Sequence, residues 1–112
     1  MDVSKYQNKM TYPVRPKKPL LSRDHTSEDA ELYASYLKNW EKEMVEWDEK
    51  LQAYNKETNR LMAEFKHDAL DDVGLLNHPK ADKIYAKAWE DGHASGLYSV
   101  YQELCELAEL FD

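Results

Sequence analysis

The sequence predicts an all-α protein. It reads as a long antiparallel, coiled-coil-like helical hairpin with an extended proline-rich N-terminal strap, assembled as a dimeric helical bundle. Three observations carry that reading. Apolar and aromatic residues recur in steps of four and three from Tyr33 to Phe65. A glycine–proline break at Gly74 and Pro79 separates that pattern from a second helical one. Proline stands at every third position from Pro13 to Pro19.

The long pattern resolves into two interleaved seven-residue series. One is Tyr33, Trp40, Trp47, Tyr54, Leu61; the other is Leu37, Met44, Leu51, Thr58, Phe65. A helix repeats every 3.6 residues, so these positions share one seam, and the Glu, Lys, Asp, Asn and Gln between them face water. Only Thr58 interrupts the apolar run, which allows a bend near 55–59. Such a stripe demands a covering partner but specifies no reaction.

With 112 residues there is room for one hydrophobic core. Apolar residues make up 42% and charged residues 33%, too hydrophobic and too periodic for a disordered chain. A single cysteine, Cys105, excludes an intramolecular disulfide and points to a reducing compartment. No apolar run reaches the roughly 20 residues of a membrane span, so a cytoplasmic protein is expected. The formal charge of -7 is uneven: residues 1–23 carry six bases against Asp2, a local +5, leaving -12 for the rest. An acidic body repels nucleic acid and favours basic partners.

In chain order, residues 1–26 read as a flexible leader and strap, and 27–112 as the helical hairpin domain. The prolines fix φ near -65° and remove backbone donors, so Tyr12–Leu21 is polyproline II. Its P-x-x-P spacing with adjacent cations matches SH3 ligands. The favoured alternative is that Tyr12, Val14, Leu20 and Leu21 pack the strap along the helices. Thr26 or Ser27 caps the first helix, with Glu28, Asp29 and Glu31 in its first turn. That helix runs to about Leu70, where Gly74 suits a left-handed cap. The second runs from about Pro79 to Leu110, with Asn77 or His78 near its N-cap.

Within the second helix, Ala88, Trp89, Gly92, His93 and Gly96 form a close-packing segment. Gly92 and Gly96 lie four apart on one face and admit another backbone; a glycine-lined notch beside His93 is the ligand-binding alternative. His93 falls on the apolar seam and reads as a buried, hydrogen-bonded histidine. As a metal ligand it lacks companions, because His25, His67 and His78 lie elsewhere. Glu90, Asp91 and His93 fall on neighbouring helix faces with no substrate-binding group beside them. No nucleophile motif, phosphate loop or metal spacing is present, so the chain is read as non-enzymatic, with no cofactor and no metal. The stripe Tyr33–Trp40–Trp47–Tyr54 would suit base stacking, but it coincides with the packing seam and is flanked by Glu41, Glu43, Glu46, Asp48 and Glu49. No direct nucleic-acid binding is expected.

Tyr12-Pro13-x-Arg15-Pro16-x-Lys18-Pro19, Trp40-Glu41, Asn77-His78-Pro79-Lys80-Ala81, Ala88-Trp89-Glu90-x-Gly92-His93-x-x-Gly96 and Val100-Tyr101 together form a recognisable pattern. It resembles small uncharacterised proteins encoded by tailed bacteriophages. That resemblance implies a setting, the infected bacterial cell, in which small acidic proteins bind and redirect or block a host protein. The expectation is therefore a phage-encoded protein-binding factor acting on a basic host protein, as a homodimer or higher oligomer. Glu43, Glu46 and Glu49 would make the contact; Tyr33, Leu37, Trp40, Met44, Trp47, Leu51, Tyr54, Leu61 and Phe65 would form the core seam. An acidic nucleic-acid mimic and a scaffold-like virion protein are the alternatives.

Overall fold

The computed structural model describes residues 1–111; Asp112, where the expected helical domain ends, lies outside the described residues. Three helices make up the chain: α1 (Ser27–Asp72), α2 (Ala81–Gly92) and α3 (Leu97–Leu110). Single 3-10 turns occupy Ser4–Tyr6 and His93–Ser95, and no strand occurs among the described residues. The all-α expectation holds. The chain divides into two compact units, one of residues 1–8 with 58–112, the other of residues 9–57. This line differs from the expected division at 26/27, because the first residues belong with the end of α1 and the strap with its beginning.

Helix α1 begins at a reciprocal cap. The Asp29 backbone N–H donates to Thr26 Oγ1 at 3.2 Å, and the Thr26 N–H donates to the Asp29 carboxylate at 3.0 Å. Two donors that would otherwise lack partners are satisfied, and Glu28 and Asp29 complement the helix dipole. The helix is unbroken through 55–59. It ends where Gly74 adopts φ 78°. There Leu75 N–H reaches Leu70 O at 2.8 Å and Gly74 N–H reaches Asp71 O at 3.1 Å. This is a Schellman turn, closed by the buried pair Leu70 and Leu75.

The unit of 1–8 and 58–112 holds the hydrophobic core. Phe65, Ala69 and Leu70 of α1 join Ile84 and Ala88 of α2 and Val100, Leu104 and Ala108 of α3. Tyr6 completes this cluster at 2% exposure, edge-on to Phe65 with ring centroids 5.4 Å apart. Its hydroxyl donates to the Asp68 carboxylate at 2.5 Å, and Asn8 Nδ2 donates to Thr58 Oγ1 at 2.9 Å. The leader expected over 1–11 is thus anchored at Tyr6 and Asn8. Burial, with the hydrogen bond to Asp68, raises the Tyr6 phenol above its ordinary value. The same bond, helped by His67 and Lys5, holds the Asp68 carboxyl below its usual range.

The second helical pattern does not form one helix. It starts at Ala81 rather than Pro79, after His78 Nδ1 accepts the Lys80 N–H at 3.0 Å. It breaks at Gly92–Gly96, so α3 folds back on α2 as a short hairpin. The two glycines act differently. A methyl group at Gly92 would lie 2.7 Å from Val100 N and 2.8 Å from Ser99 C, so α3 backbone occupies the side-chain space. This is the expected close approach. Gly96 instead adopts φ 106° and ψ 173°, a conformation essentially reserved for glycine, with no atom within 4 Å of its missing side chain. It is the turn, not part of the packing strip. His93 is exposed in that turn rather than buried: its ring stacks on Trp89 at 5.6 Å, and Nδ1–H donates to Trp89 O at 2.7 Å.

These differences set two expectations for thermal melting. Gly92→Ala overpacks against backbone and should destabilise by about 1–3 kcal/mol. At Gly96 the strain is conformational, so Ala and Leu should destabilise by similar amounts, on the order of 1–3 kcal/mol. A much larger loss for Leu than for Ala would contradict the open surroundings of Gly96.

Replacing Tyr6 by Ala should cost about 3–5 kcal/mol, the range for a deleted core aromatic. The lowered Asp68 pKa adds a pH dependence. Because the folded value lies below the unfolded one, near 3.9, the carboxylate stabilises the fold above about pH 4. That contribution is lost as pH falls through the folded value. Melting curves of wild type and Asp68→Asn should therefore converge as the pH drops below about 4; a constant gap would exclude this linkage.

Candidate functional site

The unit of residues 9–57 is a strap laid on a helix. The prolines turn inward: Pro13, Pro16 and Pro19 are half-buried, as are the seam residues Tyr33, Leu37, Trp40, Met44, Trp47, Leu51 and Tyr54. Two indoles fasten the strap. Trp47 Nε1–H donates to Pro13 O, and Trp40 Nε1–H donates to Pro16 O, both at 3.3 Å. The next strap row covers the aromatic faces. Tyr12 meets Tyr54 edge-on at 5.0 Å, Arg15 lies 5.8 Å from the Trp47 ring, and Lys18 lies 5.5 Å from that of Trp40.

Every step of three in the strap therefore answers a step of seven in α1, in the opposite direction. The lengths agree because three polyproline II residues rise about 9.3 Å and seven helical residues about 10.5 Å. Proline suits the inward row, having no N–H to leave unsatisfied against the helix. The exposed rings become sites for cations, each contact worth about 0.5–1 kcal/mol. Both the proline period and the aromatic period were visible in the sequence; their matching lengths were the available signal that the strap is the seam's cover. The strap packs, as expected over the SH3 reading, but through its prolines and the half-buried Leu21. Val14 and Leu20 point outward at 87% and 92% exposure. The stacking platform for bases is likewise occupied by Tyr12, Arg15 and Lys18.

Beside the strap lies a groove of about 990 Å³, floored by Trp47, Pro13 and Tyr12 and walled by Glu43, Glu46 and Lys50 of α1. Of the expected partner-binding carboxylates, Glu43 and Glu46 line this groove, whereas Glu49 is exposed on α1 outside its lining. No residue of 9–57 is buried. Seven of the ten large exposed hydrophobic residues nevertheless lie here, from Met10 to Val45, so apolar exposure is concentrated in the strap unit. The seam residues Leu61 and Phe65 are the buried ones, and they belong to the other unit.

Charge divides the other way. The strap unit holds nine Lys and Arg against ten Asp and Glu, a formal -1, because the basic strap lies along the acidic helix. The unit of 1–8 and 58–112 holds six against twelve, a formal -6. Its exposed carboxylates include Asp71, Asp72, Glu106 and Glu109, and Asp72 accepts a hydrogen bond from Tyr101, which raises that phenol. The close-packing residues divide within this unit: Ala88 and Gly92 are buried, Trp89 is half-buried between Tyr85 and His93, and His93 and Gly96 are exposed. Among the described residues no three His, Cys, Asp or Glu side chains gather as a metal site, and no helix is long and apolar enough to cross a membrane.

The strap's register is open to test by one insertion. An extra glycine between Val14 and Arg15 should slide the two halves of the strap out of phase by about 3 Å. Indole emission should shift to the red while the helical far-UV signal is kept. Unchanged emission would mean that the strap is not held in register.

Residues 1–112 match the model of a family described as "Family of unknown function (DUF8546)", and the chain belongs to that family. Comparison with curated proteins and with solved structures gives no match.

Proposed function

We propose that this member of a family of unknown function is a phage-encoded, non-enzymatic protein-binding factor that inhibits or redirects a host protein in the cytoplasm of the infected bacterium. The resemblance to tailed-phage proteins supplies the setting. One structural observation carries the choice of surface: the strap neutralises the first half of α1, and the acidic excess of -6 belongs to the unit of 1–8 and 58–112. A basic partner is therefore steered to that unit, where Asp71, Asp72, Glu106 and Glu109 are exposed. This moves the contact away from Glu43, Glu46 and Glu49, whose field is offset by Arg15, Lys17 and Lys18.

Affinity capture from host lysate with the full chain tests this. A specific host protein should be retained at low salt and released as ionic strength rises, since the Debye length falls from about 30 Å at 0.01 M to about 10 Å at 0.1 M. Reversing Asp71, Glu106 and Glu109 to Lys, with Asp72 left on its Tyr101 partner, should abolish capture without lowering the melting temperature, because exposed charges contribute little to stability. Reversing Glu43, Glu46 and Glu49 should leave capture intact. The opposite ranking would return the contact to α1, and capture indifferent to both sets and to salt would refute an electrostatic partner.

A further inference from the structure

Core packing and ligand recognition leave different marks, and the strap unit carries those of recognition. No residue of 9–57 is buried. What holds the strap is a short set of directional contacts. Two indole N–H groups donate to the carbonyls of Pro13 and Pro16, a cation lies over each of those indole rings, and Tyr12 meets Tyr54 edge-on. Grooves that dock extended proline-rich peptides are built from the same parts, flat rings for the prolines and N–H donors for the carbonyls beside them. Charge agrees. Residues 27–57 of α1 carry nine acids against four bases, a formal -5, and the strap over 9–23 carries five bases and no acid.

We infer that the Tyr33–Tyr54 face of α1 is a binding site for basic proline-rich segments of other proteins, and that the strap is its resident, exchangeable occupant. The strap defines the ligand. Proline at every third position turns to the helix, and the residue before it, Tyr12, Arg15 or Lys18, meets a ring. The residue after it is free, since Val14 and Leu20 are 87% and 92% exposed. The class recognised is therefore an aromatic or cationic residue, then proline, then any residue, repeated along the segment. The indole donors address backbone carbonyls, which every such segment presents. Exchange follows from the absence of a core here: release uncovers half-buried side chains rather than a sealed interior. The tether keeps the strap at an effective concentration on the order of millimolar and closes the site to weak competitors. A segment in trans gains access in proportion to the fraction of chains whose strap is open.

The site uses no residue of the acidic surface proposed for a host protein, so the two readings fail independently. The probe is a fluorescein-labelled synthetic peptide of residues 11–21, titrated into full-length chains and followed by anisotropy. Pro13→Gly, Pro16→Gly and Pro19→Gly together loosen the chain's own strap without altering α1. This variant should bind the peptide about tenfold more tightly than wild type, or better. Adding Trp40→Phe and Trp47→Phe keeps aromatic rings but removes both donors, and should weaken binding again by about tenfold. Arg15→Ala with Lys18→Ala is a milder loosening, for use if circular dichroism shows that the glycine variant loses helix, and should raise peptide affinity severalfold. In the peptide itself, Val14→Ser and Leu20→Ser should leave affinity unchanged, whereas a scrambled peptide of the same composition should not bind. Equal affinity for wild type and both loosened chains, or no binding to any of them, overturns the inference. Tight binding of the scrambled peptide overturns it too, because it reduces the contact to charge alone.

Discussion

One helix with an apolar stripe along its whole length must be covered along that whole length. That constraint organises this protein. From Thr58 onward the stripe is covered by helices folded back upon it and by Tyr6, and the result is a conventional core with Phe65 and Leu104 fully buried. Before Thr58 the cover is the proline-rich strap, one side chain deep. The same heptad pattern therefore produces buried residues in one unit and only half-buried residues in the other. The cover, not the pattern, decides how much water is excluded.

The two covers obey different rules. Helix packs on helix through small residues, and Gly92 carries this to its limit by letting α3 backbone into the space of a side chain. A strap without N–H groups at its contact row needs no backbone partner there, and its carbonyls are free to accept from indoles. This explains why tryptophan, rather than leucine, stands at 40 and 47: a flat ring covers the strap, its N–H reaches the carbonyl, and its face receives a cation.

Much of this was legible in the residues, because it follows from short-range rules. The all-helical class came from the 3.6-residue period, the start of α1 from Thr26 and Asp29, its end from Gly74. The break at Gly92–Gly96 was not. Two glycines four apart look identical as a packing strip or as a packing glycine followed by a turn glycine, and only the backbone angles separate them. Tyr6 was missed for a different reason: a lone aromatic in a polar stretch has no period, and its place in the core depends on Asp68, sixty-two positions away. The placement of charge was legible only in part: the sequence shows a basic start and an acidic remainder, but only the fold lays Arg15 and Lys18 over the rings of Trp47 and Trp40, beside the carboxylates of α1.

The three-against-seven register has a consequence for how such a chain can change in length. A helix alone can be lengthened by a turn, and a loop by almost any number of residues. Here the two strands of the ruler carry different graduations, and a change in one is absorbed only by a change in the other. Three residues of strap answer seven of helix, so growth or shrinkage in this unit is confined to paired steps of that size, each adding or removing one proline, one ring and one cation. Length in this part of the molecule is quantised, and the quantum is one complete rung.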